Sequence, residues 1–297
     1  MPRTNFQELL DAGVHFGHLK RKWNPAMAPY IFMERNGIHI IDLEKTIVKL
    51  DEAASAMKHI ARSGKKILFV ATKKQAKEIV AEKVKQVNMP YVTERWPGGM
   101  LTNFPTIRKA VKKMGSIDKM ATDGTFSNLS KREKLQVTRQ RAKLEKNLGS
   151  IVDLTRLPSA LFVVDVCKEH IAVREAKRLG IPVFAMVDTN SDPTDIEFPI
   201  PANDDASKSI SLIVSLLCQS IEEGLNERKM EKDKEPVQKD WKIARKDLET
   251  KDLPDSVIAA LADEEEEEEP EAEDESTVDE IEADEEITAV IDDTEEE

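Results

Sequence analysis

The densest concentration of chemically active side chains in this sequence is the basic segment 104–149. It holds twelve Lys and Arg residues against four acids, a local net charge of +8. The strongest candidates for contact with a ligand are Arg108, Lys109, Lys112, Lys113, Lys131, Arg132, Arg139 and Lys143. Cationic groups at this density neutralise phosphates, so the segment is predicted to bind a nucleic acid. The alternative is a solvated helical strut whose charges only face water.

Two further loops combine basic and aromatic side chains. The first contains four consecutive residues, Lys20, Arg21, Lys22 and Trp23. Such a loop suits a surface that contacts phosphates and bases, although Trp23 could equally be an aromatic plug beneath a sheet. In the second loop, Arg95 and Trp96 either contact phosphate or pack the turn at Gly98-Gly99.

The sequence offers little catalytic chemistry. Neither of the phosphate-binding patterns G-x-G-x-x-G and G-x-x-x-x-G-K-[ST] occurs, and no His stands out beside a Ser or Cys nucleophile. The pair Gly98-Gly99 follows Pro97 and is either a tight turn or a backbone cradle for an anion. We therefore expect no cofactor, and the absence of these motifs disfavours an enzyme.

Two clusters carry side chains that could bind a metal. His15 and His18 lie three residues apart, but no third ligand is close in sequence, so no shared metal is expected. Asp188, Asn190 and Asp192 offer oxygen ligands suited to Mg²⁺. Asx turns explain the same residues, because Asp and Asn side chains bond to backbone groups two residues ahead. No metal site is predicted from either cluster.

Apolar strands and amphipathic helices alternate along the chain. Continuous apolar runs at 67–71, 160–166 and 182–188 predict strands that are buried on both faces, which is typical of a parallel sheet. Helices between these strands predict βαβ units with right-handed crossovers. Asn36-Gly37 predicts a hairpin between two short strands.

The helices are predicted from apolar residues at helical spacing. Their predicted inner faces carry Ile47, Val48, Leu50, Met57, Ile60, Ile79, Val80, Val84 and Val87. A further helix with Ile171, Ala176 and Leu179 is predicted to end at Gly180. In the basic segment the same spacing predicts two antiparallel helices around Asp123-Gly124, the second capped by Ser130 with Glu133. Thr72 with Gln75 predicts another capping box, after the first buried strand.

Charge is distributed unevenly along the chain. Residues 263–297 hold 22 acids and no Lys or Arg, which leaves 35 acids against 44 basic residues elsewhere, so the body is +9 although the whole chain is −13. We predict an α/β domain at 1–228 with a helical hairpin inserted at 104–149, a polar linker at 229–262 that could hold short helices, and a disordered acidic tail at 263–297. The tail could compete with RNA for the basic body, or chaperone basic proteins.

Cysteine usage and hydropathy indicate a protein of the reducing cytosol. Cys167 and Cys218 lie in apolar surroundings without repeated spacing, so neither a disulfide framework nor a zinc cluster is predicted. No window approaches the roughly 20 apolar residues of a membrane span, and no signal peptide is expected.

Several strings of this sequence closely resemble the bacterial small-subunit ribosomal protein S two family. They are GVHFGH at 13–18, KWNPAMAPYIF at 22–32, the segment 37–43, VATKKQAK at 70–77, ERWPGGMLTNF at 94–104 and VDTNSDP at 187–193. RWPGGMLTN is highly specific. The resemblance covers about residues 5–228, including the inserted hairpin, and says nothing about the acidic tail.

The resemblance implies a flavodoxin-like doubly wound parallel sheet with a protruding α-hairpin, without catalytic activity. It also implies a structural constituent of the small ribosomal subunit, on its solvent side between head and body. There the protein would bind small-subunit rRNA, adjoin neighbouring small-subunit proteins and help to recruit ribosomal protein S one for translation. The alternative is a nucleotide-dependent α/β enzyme, because doubly wound sheets bind ligands at the carboxyl ends of their strands.

Overall fold

The computed structural model describes residues 3–250, except 124–125 and 127–129. Contacts divide the chain into two units, Met1–Arg228 and Lys229–Glu297. Of the second unit, only residues up to 250 are described, all within one helix. The predicted disorder of the acidic tail at 263–297 lies outside the described residues, as does the end of the predicted linker.

The first unit begins with a short helix and a small antiparallel sheet. These elements are α1 (Phe6–Asp11), β1 (Phe16–Leu19), β2 (Ile31–Arg35) and β3 (Ile38–Ile41), with 3₁₀ helices at Lys20–Lys22 and Pro25–Tyr30. The strand order is β1-β3-β2. Asn36 and Gly37, between β2 and β3, have φ values of 54° and 76°. A two-residue type I′ turn requires positive φ at both positions, so the predicted Asn-Gly hairpin is confirmed.

The main sheet has five parallel strands. They are β4 (Ile67–Val70), β5 (Tyr91–Val92), β6 (Ala160–Val164), β7 (Val183–Val187) and β8 (Phe198–Pro201). Their order is β5-β4-β6-β7-β8, which is the flavodoxin-like arrangement. Every residue of β4, β6 and β7 is buried, as expected for strands covered on both faces. The predicted α/β fold class, with a doubly wound parallel sheet, is confirmed.

Helices pack on both faces of the main sheet. They are α2 (Leu43–Arg62), α3 (Lys74–Gln86), α4 (Phe104–Thr122), α5 (Lys131–Leu148), α6 (His170–Arg178) and the part of α7 (Ser207–Thr250) that belongs to the first unit. Phe69 and Phe162 project into a core shared with α2, α3 and α7. Leu68 and Leu161 project into the opposite core, with α4, α5 and α6. Successive strand residues thus serve two cores, because side chains alternate across a strand.

Three of the apolar residues named for the predicted helices are exposed. They are Val48 at 56%, Ile171 at 46% and Leu179 at 40%. In α6 the buried positions are instead Ala172, Val173, Glu175 and Ala176. Small side chains let a helix approach a sheet closely, so the largest apolar residues do not mark the inner face here. The buried carboxylate of Glu175 was not predicted at all.

The capping box predicted from Thr72 and Gln75 is wrong. α3 begins at Lys74, with Lys73 as its N-cap residue. The Thr72 hydroxyl donates instead to the buried carboxylate of Glu169, which also accepts the Thr72 N–H at 3.2 Å. A buried carboxylate requires hydrogen-bond donors. Because Thr72 donates to Glu169, it does not cap the start of α3.

The helix α7 extends to Thr250, whereas the sequence predicts only short helices after Arg228. The residues after Arg228 are rich in Lys and Glu, which are strong helix formers even without an apolar face.

Candidate nucleic-acid interface

The basic segment forms two helices that pack against each other. Val111, Met114 and Ile117 of α4 are buried, as are Leu144 and Leu148 of α5. These residues recur every three or four positions, so each helix places one apolar face inside. The helical spacing identified in the sequence therefore marks the buried side of the pair.

Polar contacts reinforce this pair of helices. The Arg141 guanidinium on α5 bonds to Asp118 of α4, and also to Glu145 one turn onward at 2.6 Å. At the start of α5, the Glu133 carboxylate accepts the Ser130 N–H at 2.8 Å, and the Ser130 hydroxyl accepts the Glu133 N–H. The predicted Ser130–Glu133 capping box is confirmed. Arg141 thus neutralises acids of the protein itself.

Seven of the remaining basic side chains lie on the outer side of the two helices. Lys109, Lys112 and Lys113 lie on α4 on the side away from Val111 and Met114, the first two exposed and the third partly exposed. The exposed basic residues of α5 include Lys131, Arg132, Arg139 and Lys143. We call these seven residues the outer basic surface. Arg132, Arg139 and Lys143 are seven and four residues apart, which places them along one side of α5.

Arg108 has a different role from its basic neighbours. It is partly buried, and its Nη1 donates to the Leu154 carbonyl at 3.0 Å, which ties the start of α4 to the chain beyond α5. Glu94 makes a second tie, because its carboxylate lies 3.3 Å from both Lys77 and Lys146. Arg108 therefore anchors the base of the helical pair through this contact.

The loop Lys20–Lys22 is an exposed 3₁₀ helix. Lys20 pairs with Glu34 at 2.7 Å, while Arg21 and Lys22 are exposed. Trp23 is 36% exposed, and its ring lies 5.2 Å from that of His39. Trp23 thus packs on one side and faces solvent on the other. It is not a fully buried plug, and it could stack on a base.

In the loop between β5 and α4, the neighbouring residues Arg95 and Trp96 differ in their exposure to solvent. The Arg95 side chain is exposed, whereas Trp96 is buried at 6% and belongs to the core with Met27 and Met100. The structure therefore supports a packing role for Trp96. Because Met27 follows the Lys20–Lys22 loop closely, the same core supports both basic loops.

The Gly98-Gly99 turn does cradle an anion, and the anion is the protein's own Glu175 carboxylate. Oε1 of Glu175 accepts the Gly99 N–H at 2.8 Å and the Trp96 indole N–H at 3.1 Å. Oε2 accepts the N–H groups of Leu101 and Thr102 at 2.9 Å and 3.2 Å, and the Thr102 hydroxyl at 3.3 Å. Burial alone would raise the pKa of Glu175, but these donors lower it.

One feature of the sequence marks Glu175 as a buried carboxylate. Glu175 is the only charged residue among the four buried positions of α6, beside Ala172, Val173 and Ala176. A carboxylate on an apolar face requires donors from elsewhere in the chain, and a glycine turn is a ready source of free N–H groups.

A second polar cluster lies at the carboxyl ends of the strands. Lys73 after β4 contacts Asp165 after β6 at 3.4 Å, and Asp204 and Asp205 after β8 at 2.8 Å and 2.6 Å. Beside it, His18 Nδ1 lies 3.0 Å from Oδ2 of Asp188, the residue that follows β7. Four carboxylates thus surround one ammonium and one imidazole.

These contacts shift the titration of the cluster. Burial and the neighbouring carboxylates of Asp188 and Asp165 raise the pKa of Asp204 to about 7. Burial would lower the pKa of Lys73, but its contacts with Asp204 and Asp205 raise it. The contact with Asp188 raises the pKa of His18. The ligand atoms of His18, Asp188 and Asp204 lie within 4.8 Å of one another, a set that could hold a divalent cation.

The structure groups the candidate metal ligands differently from their order in the sequence. His18 faces Asp188 and Asp204 rather than forming a pair with His15. Asp192 accepts the Thr194 N–H at 3.0 Å, so the Asx-turn interpretation is confirmed for this residue.

No helix in the described part of the chain is long and apolar enough to cross a membrane.

Comparison with known proteins identifies close relatives. A family model described as ribosomal protein S2 matches residues 9–224. A protein of Parabacteroides distasonis named small ribosomal subunit protein uS2 is 76% identical over 232 residues, 78% of this chain and 84% of the relative. Proteins of the same name are 77% identical in Phocaeicola vulgatus, covering 78% of this chain and 83% of the relative, and 74% identical in Azobacteroides pseudotrichonymphae, covering 78% and 88%.

Proposed function

Because the chain belongs to the ribosomal protein S2 family, we propose that it is a structural constituent of the small ribosomal subunit that binds small-subunit rRNA in the cytoplasm. Members of this family are structural proteins rather than enzymes, so the chain has no catalytic role. Its proposed place is the solvent side of the subunit, between head and body, beside other small-subunit proteins.

The observation that carries RNA binding is the outer basic surface. Its side chains stand on two helices whose apolar faces are buried, so the cations are held by a rigid support. Arg108, Arg141 and Lys146 meet groups of the protein itself, whereas Lys109, Lys112 and Lys113 extend toward solvent. Rows of cations on a helix fit the spaced phosphates of a folded RNA, and they position a protein rather than read a sequence.

The polar cluster at the carboxyl ends of the strands argues against the nucleotide-enzyme alternative. Doubly wound sheets bind nucleotide phosphates at this edge. Here the carboxylates of Asp165, Asp188, Asp204 and Asp205 meet at the edge and outnumber the two basic side chains that contact them, Lys73 and His18. Like charges disfavour a phosphate there, which agrees with the family's lack of catalysis.

The test of RNA binding is the triple substitution Lys109→Ala, Lys112→Ala and Lys113→Ala. Each lost phosphate contact removes about 0.7 to 0.9 from the slope of log affinity against log salt concentration, so the slope should flatten by about 2 to 3. The measurement is a titration of purified small-subunit rRNA at several KCl concentrations, with co-sedimentation of the variant with small subunits.

The matched control removes three exposed lysines from elsewhere in the body, namely Lys65, Lys74 and Lys85. It has the same net charge as the test variant, so a general charge effect would flatten both slopes equally. If the test variant keeps the wild-type slope and incorporates normally, the helical pair is a strut and the proposed RNA contact is wrong.

We further propose that the small antiparallel sheet contributes to the recruitment of ribosomal protein S one. Phe16 and Met33 both lie opposite Ile40 in the strand register, so the three side chains form a row across the sheet. Leu19 lies opposite Ile38, two residues before Ile40 and therefore on the same face. We call these five residues the outer sheet face.

The outer sheet face is mainly apolar and open to solvent, with the exposed Arg35 opposite Ile38 at its edge. Phe16, Leu19 and Met33 are 51%, 50% and 47% exposed. A contiguous apolar patch of this kind on a water-exposed sheet is typical of a protein contact rather than of an RNA contact. The same unit would thus bind RNA through its helices and a protein through its small sheet.

A further inference from the structure

The Glu175 carboxylate holds together the loop from which the basic helices arise. Its five donors all come from residues 96–102, and three of them are backbone N–H groups. The Glu175 side chain itself belongs to α6, far away in sequence. One buried charge therefore fixes the path of a loop that has no regular secondary structure of its own.

The donor geometry resembles that of a site for a free anion. Three N–H groups, from Gly99, Leu101 and Thr102, converge on one carboxylate. Backbone N–H groups of a glycine turn converge on a bound phosphate in the same way. All five donors are neutral, so the carboxylate charge is stabilised by oriented dipoles. Gly99 reaches its position with φ at +80°, which favours glycine.

The start of α4 depends on this arrangement. Among the described residues, the Asn103 side chain caps no N–H group of α4, and the Asn103 N–H instead bonds to the Gly99 carbonyl at 2.7 Å. Thr102 and Leu101, which directly precede Asn103, are both held by Glu175. The helix that carries Lys109, Lys112 and Lys113 thus begins at a loop pinned to α6.

We propose that Glu175 is a positioning residue for the RNA contact: it acts as an internal anion that fixes the loop 96–102 and thereby the direction of α4. This inference rests on the proposed function. Glu175 itself touches no RNA in this scheme. Without the Glu175 carboxylate the chain keeps all cations of the outer basic surface, but the loop that sets the start and direction of α4 is no longer fixed.

The first test is Glu175→Ala, which leaves the five donors facing a space of carboxylate size. Affinity for small-subunit rRNA should fall about tenfold at fixed salt, because the loop must be ordered on binding. The salt slope should stay as in the wild type, since the lysines are intact. The affinity should be restored when potassium acetate replaces KCl at equal ionic strength, because the acetate carboxylate can occupy the position that Glu175 has vacated.

A spectroscopic signal follows the same site directly. The Trp96 indole N–H donates to Glu175, so the NMR resonance of this Nε1–H group should shift in the alanine variant and return with acetate. The resonance is assigned with Trp96→Phe. Glu169→Ala is the matched control, because Glu169 is also buried beside α6 but bonds Thr72 rather than the loop. It should leave the Trp96 resonance and the rRNA affinity unchanged.

The outcomes separate this inference from the proposed function. The positioning role is wrong if Glu175→Ala folds and keeps wild-type affinity. It is also wrong if Glu175→Ala loses affinity and acetate does not restore it. In both cases RNA binding itself stands. If Glu175→Ala does not fold, Glu175→Gln serves instead: it should lose affinity with an unchanged salt slope, and wild-type affinity would refute the inference. Failure of the lysine test refutes RNA binding itself.

Discussion

Gly98 and Gly99 are neighbours in sequence, yet only one of them needs to be glycine. Gly99 has φ at +80°, and a Cβ there would also lie 3.4 Å from the Asn103 Cβ. For Gly98, no described atom lies within 4 Å of an added Cβ, and its φ is not in the left-handed region. The anion cradle for Glu175 therefore depends on the second glycine.

We predict that Gly99→Ala destabilises the protein and Gly98→Ala does not. An L-residue held in the left-handed region costs about 1 to 2 kcal/mol, so the free energy of unfolding should fall by that amount for Gly99→Ala. Gly98→Ala should change it by less than about 0.5 kcal/mol, as is usual at open surface positions. Urea unfolding followed by circular dichroism measures both. Equal losses would show that the left-handed turn at Gly99 is not the decisive strain.

At the scale of elements, periodicity located the sheet and its helices because those signals are local. The buried strands at 67–71, 160–166 and 182–188 stand out as apolar runs, and alternation with helices then implies parallel pairing. The Asn36-Gly37 hairpin follows from one dipeptide. Each of these predictions depends on residues adjacent in sequence, and the structure confirms them.

What the sequence could not supply is the pairing of side chains from distant elements. Glu175 meets Gly99 across 76 positions, and Lys73 meets Asp204 across 131. Neither contact has a spacing that marks it, because Glu175 lies on α6 and Gly99 in a distant loop, while Lys73 and Asp204 follow two different strands. The anion cradle was recognisable at Gly98-Gly99 as a possibility, but the identity of its anion required the fold.

The outer sheet face gives a prediction at this same scale. Phe16→Ser with Met33→Ser should weaken binding to purified ribosomal protein S one at least about tenfold, because both side chains lie in the apolar row. Binding can be measured by surface-immobilised titration of the intact chain.

The control for the sheet substitutions is Val48→Ser with Leu135→Ser, which removes two similarly exposed apolar side chains from α2 and α5. A general loss of surface hydrophobicity would weaken S one binding in both variants. Unchanged binding of the Phe16 and Met33 variant would exclude the outer sheet face as the contact.

The whole molecule segregates its charge. The outer basic surface belongs to a body of +9, while 22 acids without a Lys or Arg occupy 263–297. A chain whose sum is −13 would repel RNA if its charges were spread evenly, so affinity for RNA requires the acids to be kept apart from the cations. The basic body therefore attracts a polyanion such as RNA, whereas the acidic residues 263–297 repel it.

Deleting 263–297 should accordingly raise the affinity of the chain for unrelated RNA at low salt. The Debye length is about 30 Å at 0.01 M and about 8 Å at 0.15 M ionic strength, so the gain should shrink as KCl is added. Titration of a non-ribosomal RNA across this range measures it. A tail of equal length with every Asp and Glu replaced by Asn and Gln is the control, and it should match the deletion if charge alone matters. Equal affinities of the deletion and the full chain at every salt concentration would rule out electrostatic competition by the tail.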